Sequence, residues 1–419
     1  MEQDSGAIVV VGAGAAGTMA AIFAAQGRRK VHLLEATREG GRKILISGGG
    51  RCNVLPQALE PSRFVTASSS NTMRAMLMDW PLAEQRRFFE EDLGIPLALE
   101  PESGKIFPVS NRAKDVRDRL LACARERGVE SRFGVKVVGL EPLQEAGRWR
   151  LSLLGGESIE AAAVVLATGG LSIPTTGSDG AGLRIAGALG HRIHPTYPAL
   201  TPLTCDPPRH AHLSGVSLKV TLEASTPAGR VTSEGGFLFT HQGYSGPAVL
   251  DLSHVAVLSR MKGGAAQAIH VRWGSLGERE WDDLLRTGTG RVDSILRTRV
   301  PERLAATLLC EASLEGSLSL SQLRRPERRR LVEHLARYRL PWTGEEGYRK
   351  AEVTGGGVAL EELQRTTLES RRHPGLFLCG EMLDAFGPIG GHNFAWAWAT
   401  GRAAGRAAAR MADARMRER

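Results

Sequence analysis

A chain of 419 residues is too long for one ordinary core and calls for two or three domains. With 42% hydrophobic and 24% charged residues, and no apolar run near eighteen residues, its composition is that of a soluble globular protein and excludes a membrane span. The net charge of +9, carried by 46 arginines and eight lysines, suits an acidic ligand or nucleic acid, although such a skew also follows from base composition.

The first residues, Met1 to Gly6, are short and acidic and do not read as a secretory signal. "AIVVVGAGAAGTMAAIFAAQG" opens with an apolar strand, Ala7 to Val11, turns through Gly12-Ala13-Gly14-Ala15-Ala16-Gly17, and continues as an alanine-rich helix ending near Gly27. A second strand, "KVHLLE", ends at Glu35, an acidic residue 18 positions after Gly17. Strand, GxGxxG, helix, strand and acid together form the βαβ dinucleotide fingerprint. Gly12 makes the tight turn, Gly14 lets the backbone approach a pyrophosphate, and Gly17 lets the helix sit close to the strand. The helix N-terminus offers N–H groups to the phosphates, and Glu35 takes the ribose hydroxyls.

"GGRKILISGGGRCNV" (40–54) follows, with five glycines, two arginines, one lysine and Cys52. That much backbone freedom beside three cations suits a loop lying across a cofactor, with Lys43 and Arg51 bonded to acidic oxygens. Further on, the apolar strand Ala162 to Ala167 runs into Thr168-Gly169-Gly170, placing a loop of small residues at a strand's carboxyl end. From about 193 to 275, strand-like runs broken by Pro, Gly and Ser predict a compact antiparallel barrel or sandwich. From 276 to 345, leucines at helical spacing predict a small helical domain. The C-terminal stretch holds a strand, Leu376 to Leu378, then Gly380-Glu381 and Asp384, then Gly390-Gly391 and a long helix from about Asn393 to Met411. The positive end of that helix would stabilise negative charge on a reduced flavin.

"GRKILISGGGRCN", "GKIFPVSNRAKDV", "VVLATGG", "GGFLFTHQGYSGPAVLDLS", "AEVTGGGVAL" and "GEMLDAFGPIGGHN" together resemble the BaiN/RdsA-like flavoproteins, an aminoacetone-oxidase-like group of the two-dinucleotide-binding-domain flavoprotein superfamily. The resemblance implies an α/β fold: a Rossmann-type FAD-binding domain built from two chain portions (1–192 and 346–419), with an inserted β-barrel-like domain (193–275) and a small helical domain (276–345). It implies a non-covalent FAD held at Gly12, Gly14, Gly17, Glu35, Lys43, Gly48, Gly50, Arg51, Thr168, Gly169, Gly380, Asp384, Gly391 and Asn393. Ala15, Ala16, Cys52, Asn53, Glu381 and His392 lie in the same motifs, and Val137 is the expected backbone contact to adenine. The chain departs from the family pattern at His392, where an aromatic residue is usual, and at Ala395, where a glutamine is.

Three residues are catalytic candidates. His241 and Tyr244, in "THQGYSGP", are placed to give a proton after hydride transfer, with turn capping and domain-boundary packing as the alternatives. Cys52 is a thiol beside the flavin, but with no resolving cysteine it reads better as a small packed residue. The five cysteines are scattered and lack CxxC, which points to a reducing cytoplasm and against a zinc site; no metal is expected.

These readings converge on an FAD-dependent oxidoreductase acting on a small conjugated or amino-carbonyl compound. NAD(P)H is a candidate reductant docking transiently, since no second GxGxxG supplies a domain for it. The alternative is an RNA-modifying flavoenzyme of the dihydrouridine synthase type, reducing a pyrimidine double bond. Its phosphate contacts would be "RRPERRR" (324–330) and Arg371-Arg372, although the first reads equally as a solvated helix face. A flavin-binding module without turnover is the third reading. Oligomeric state is not legible.

Overall fold

The computed structural model describes residues 6–144, 148–227, 229–261, 263 and 266–417. The chain forms two compact units, one made of residues up to Tyr197 together with those from Val353 onward, the other of Pro198–Glu352.

The first unit is built on a five-stranded parallel sheet. Its strands are β1 (Ile8–Val11), β2 (Val31–Glu35), Glu130–Phe133, Ala163–Leu166 and Leu376–Leu378. Numbered along the chain, their order in the sheet is 3-2-1-4-5, with Ile8 opposite both Val31 and Ala163, and Val164 opposite Leu376. This is the Rossmann arrangement, and ligands bind at its switch point, between the first and fourth strands. Central strands covered on both faces must be apolar throughout, and "IVVV" and "AVVL" are buried at every position. The sheet also shows why the cofactor domain needs both ends of the chain, because its outer strand comes from residues 376–378.

Helix α1 (Ala15–Ala24) leaves β1 and packs along the long helix His392–Arg417. Alanines and glycines line this contact so closely that a Cβ at Gly405 would lie 2.1 Å from the Ala20 carbonyl oxygen. Two small antiparallel sheets complete the unit: Leu55–Pro56, Lys105–Pro108 and Leu97–Glu100, and Val137–Pro142, Trp149–Leu153 and Ser158–Ala161.

The second unit carries a seven-stranded sheet whose neighbouring strands are antiparallel, with Ser217–Thr226 and Gly229–Phe239 as its longest pair. Helices at Pro247–Met261, Glu278–Thr287, Val292–Arg297, Glu302–Glu311 and Arg325–Ala336 belong to the same unit. Strand and helix residues share one apolar core, in which Phe237, Phe239 and Trp273 meet Trp281, Leu308 and Leu335. Among the described residues no helix is long and apolar enough to cross a membrane.

A polar cluster is set into that second core. His210 takes the Tyr244 hydroxyl at Nδ1 (2.9 Å), while its Nε2 faces both the Tyr338 hydroxyl (3.2 Å) and Glu311 Oε1 (3.1 Å). Burial pushes the Glu311 carboxyl up, but the bonds from His210 and Tyr338 outweigh it and hold the group below the usual carboxylate range. A depressed folded pKa stabilises above the unfolded value and loses that contribution as pH falls through the folded one. Glu311→Gln is therefore expected to lower stability by about 1 kcal/mol near neutrality. Denaturant unfolding across pH tests this: the gap to wild type closes in acid, and a pH-independent gap would contradict the assignment.

Candidate functional site

The turn after β1 leaves no room for side chains. Gly12 has φ +104°, and a Cβ there would approach the Ala167 carbonyl oxygen to 2.5 Å. At Gly17 a Cβ would meet the Gly12 carbonyl oxygen at 1.8 Å. Gly14 differs, for it caps α1 and a Cβ on it would find nothing within 4 Å. The space beside Ala15 and Ala16 is therefore open to a ligand, and α1 has neither a side-chain cap nor an acidic residue in its first turn. Free N–H groups and an uncompensated positive dipole end make this an anion site.

Glu35, at the end of β2, is fixed beside that turn. Its Oε2 accepts from the Ala13 N–H (2.8 Å), and its Oε1 from the Thr37 N–H (2.8 Å) and hydroxyl (2.7 Å). An ionised carboxylate has about four acceptor positions, so one remains for a ribose hydroxyl.

The carboxyl ends of the fourth and fifth strands bring in the next residues. Thr168 and Gly169 follow Ala163–Leu166, and Gly380 and Glu381 follow Leu376–Leu378. Gly380 lies against α1, where a Cβ on it would be 2.7 Å from that of Ala16. Its N–H donates to Thr400 Oγ1 (3.0 Å), and its carbonyl accepts from Trp396 Nε1 (3.1 Å), tying this turn to the long helix. Thr168 Oγ1 is buried without a hydrogen-bond partner.

Lys43 and Glu381, 338 positions apart, form an ion pair of 2.6 Å with side chains only 26% and 19% exposed. Lys43 Nζ also donates to Ser172 Oγ (2.7 Å), whose hydroxyl donates to Glu381 Oε1 (2.6 Å). The Thr354 N–H and hydroxyl reach the same oxygen at 3.1 Å. Both carboxylate oxygens are thus satisfied, while the ammonium keeps a third N–H for a ligand. Ser172 and Thr354 were not singled out from sequence. Each lies inside or just past a glycine-rich motif, but neither stretch announces a partner so far along the chain.

The loop 40–54 folds as a short helix, Arg42–Ile46, followed by Gly48, Gly49 and Gly50 with φ of +57°, +67° and +84°. These three consecutive left-handed residues, with Gly41 at φ +71°, account for four of its five glycines. Arg51 stacks on the Phe107 ring (4.0 Å) and bonds Glu100 Oε1 (3.0 Å). The buried Asn53 amide, oriented to donate to the Leu55 carbonyl and accept from the Gly391 N–H, both 3.1 Å, fastens the loop to the start of the long helix. Asn393 clamps the neighbouring turn by giving to and taking from the Gly387 backbone, both at 2.9 Å.

Asp384 is 2% exposed and engaged by the segment beside it. Its Oδ2 accepts from the Ala67 and Ser68 N–H groups (2.9 and 2.8 Å) and from the Thr66 and Ser68 hydroxyls (3.0 and 2.8 Å), with His194 Nε2 at 3.6 Å. Burial pushes its carboxyl up against those bonds. His392 is also buried, and burial together with Arg63 holds its imidazole down at about 4, so it is neutral near pH 7. Val137, buried, starts a strand with a bulge between it and Gly139, and Lys136 beside it pairs with Asp179 at 2.7 Å.

The catalytic candidates separate. His241 lies exposed on the turn between Gly229–Phe239 and Gly243–Ser245, where Thr240, not His241, accepts the turn N–H groups. Tyr244 has no exposed surface and its hydroxyl is bonded to His210, so the expected proton-donor role is corrected to a core residue. Cys52 is likewise sealed, with its N–H on the Ser47 carbonyl (3.0 Å) and burial pushing its thiol up to about 12. An inaccessible neutral thiol is neither a nucleophile nor a redox partner, and packing is its role.

A Rossmann sheet with a bare phosphate turn, an uncapped helix start and a fixed carboxylate after β2 defines a dinucleotide-binding protein. The chain belongs to the HI0933-like Rossmann-domain family, whose model matches residues 6–407. It is 32% identical over 402 residues to the "Ribosomal RNA dihydrouridine synthase" of Escherichia coli, covering 94% of this chain and 95% of that one. It is 31% identical over 415 residues to the "3-dehydro-bile acid delta(4,6)-reductase" of Clostridium scindens, covering 96% and 98%. In fold it is similar to a flavocytochrome c3 fumarate reductase in its open conformation (TM-score 0.50, 18% identity, 97% of this chain and 78% of that one). It is equally similar to the 3-ketosteroid-delta4-(5alpha)-dehydrogenase of Rhodococcus jostii RHA1 (TM-score 0.50, 15% identity, 96% of each chain). The protein is accordingly an FAD-dependent oxidoreductase, and the residues present fit that cofactor.

Among the described residues, which include all five cysteines, Cys310 alone is exposed. A disulfide-forming thiol reagent should consume one thiol per native chain quickly and the others only on denaturation. A second fast thiol lost on Cys52→Ala would reopen a redox role for Cys52.

Proposed function

We propose that the enzyme reduces a carbon–carbon double bond conjugated to a carbonyl. The observation that carries this is the near-equal, near-full-length likeness to two relatives whose names share one reaction. A dihydrouridine synthase saturates the C5–C6 bond of a uracil, conjugated to its C4 carbonyl, and a delta(4,6)-reductase saturates a steroid dienone. Across each reduced bond the carbon farther from the carbonyl accepts hydride and the nearer carbon a proton. Bound FAD, held non-covalently, supplies the two-electron step, with NAD(P)H as the reductant consumed.

The chain's own residues do the rest. The start of α1 takes the pyrophosphate and Glu35 a ribose hydroxyl, while Gly169 and Gly380 border the cofactor with bare backbone and Thr168 lies beside them. Val137 contacts adenine. Lys43, held by Glu381 and Ser172, presents a fixed cation at the carboxyl ends of the strands. The long helix begins at His392 with no acidic residue in its first turn, so its positive end offsets negative charge gained on reduction. His392, neutral, adds no second charge there. Of the two candidates for the proton, Tyr244 is sealed and His241 is exposed. A reducing cytoplasm agrees with five cysteines that are all free.

A uridine within RNA, the second reading, is favoured by two of the relatives and by an arginine-lined groove in the second unit. Anaerobic stopped-flow separates these readings. NADPH or NADH should bleach the flavin, and a cyclic enone or a uridine-containing RNA should restore its colour. Bleaching by neither nucleotide, with reduction by an amine instead, would overturn the proposal in favour of an oxidase.

A further inference from the structure

Two helices of the second unit, Glu278–Thr287 and Arg325–Ala336, lie side by side and border an open groove of about 870 Å³. Pro326 sits in the first turn of the second helix, where its missing N–H costs nothing, and the buried Leu331 and Leu335 anchor the helix to the core. The motif "RRPERRR" is therefore presented along one wall as an ordered helix surface.

The carboxylates near this groove are mostly engaged. Glu327 accepts from the Arg324 N–H (2.8 Å) and Glu280 from the Gly277 N–H (2.6 Å), each closing the start of its own helix. Asp282 bonds Arg328 Nε across the groove (2.8 Å), and Asp283 bonds Arg286 (2.7 Å). Among the described residues Arg279, Arg325, Arg329, Arg330 and Arg337 line the groove without an ion-pair partner, against two unpaired carboxylates, Glu278 and Glu333. The other basic pair named from sequence is different. Arg371 Nε is bonded to the Leu363 carbonyl (2.9 Å) and Arg372 is paired with Glu362, so neither stands free.

We propose that this groove docks the phosphate backbone of RNA, an inference resting on the reading in which the reduced base is a uridine in RNA. Guanidinium groups bind phosphate oxygens bidentately, and five of them spread over the two helices that border the groove suit a polyanion better than a compact anion. The lining offers Pro326 and the buried Val332 as its apolar members and no aromatic ring, which argues against base stacking and against insertion into a lipid surface. Binding through this groove is therefore sequence-tolerant and strongly salt-dependent.

The test is fluorescence anisotropy of a labelled RNA hairpin with a uridine loop, titrated with FAD-loaded protein from about 50 to about 200 mM salt. The comparison is wild type against Arg325→Glu/Arg329→Glu/Arg330→Glu, with the matching triple glutamine variant as a milder form. Bound FAD and thermal midpoint should match wild type in at least one of these. The expected result is affinity at least about tenfold weaker and a log–log salt slope shallower by about two to three. If the wild type binds with a steep salt dependence and the folded variants match it, the groove is not the docking surface although the RNA reading stands. If the wild type fails to bind the hairpin and deproteinised ribosomal RNA alike at the lowest salt, the RNA reading falls and this proposal with it.

Discussion

At Gly17 a single methyl group would lie 1.8 Å from the carbonyl oxygen of Gly12, and at Gly12 it would strike the backbone after the fourth strand. The turn exists only because both side chains are missing, and much of the first unit follows from it. With the turn closed, α1 lies directly against the sheet and its first N–H groups face open space. The long C-terminal helix then approaches α1 so closely that only hydrogens fit at Gly401 and Gly405. That contact and the strand at Leu376–Leu378 hold the end of the chain to its beginning and set Gly380 against Ala16.

The Lys43–Glu381 pair is the electrostatic counterpart of this closure. A largely buried lysine is costly to desolvate unless its charge is met, and here the Glu381 carboxylate and the Ser172 hydroxyl meet it, with Thr354 bonded in turn to that carboxylate. Removing either charge leaves the other uncompensated, which is more damaging than the modest net worth of the pair. The pairing also explains why a loop with three cations and five glycines follows the first βαβ unit. The glycines let the loop turn back on itself, Lys43 anchors its front to the fifth strand, and Asn53 anchors its end to Gly391.

The fold was largely legible because its signals are local. Apolar runs with glycine at their ends gave four strands to within a residue or so, Ile8–Val11, Val31–Glu35, Ala163–Leu166 and Leu376–Leu378, and the helix expected from Asn393 to Met411 runs from His392 to Arg417. The phosphate turn and Glu35 were legible for the same reason. Tyr244 was misread because a tyrosine among turn residues carries no mark of burial, and its partner His210 lies 34 residues away. Cys52 had the right neighbours for a reactive thiol, and only the packing around it shows that the sulfur is sealed. Asp384 was legible as part of a cofactor motif, but not as the acceptor for the whole Thr66–Ser68 segment. Such long-range pairings are set by tertiary structure, and residue spacing does not encode them.

The central claim is that the bare turn, Glu35 and the Lys43 loop hold FAD, non-covalently, in one site. It is tested most directly by heat-precipitating the purified protein and identifying the flavin by chromatography. One FAD per chain in the supernatant, with a colourless pellet, is the expected result. FMN in its place, a flavin that stays with the pellet, or a protein that cannot be loaded with FAD would contradict the account.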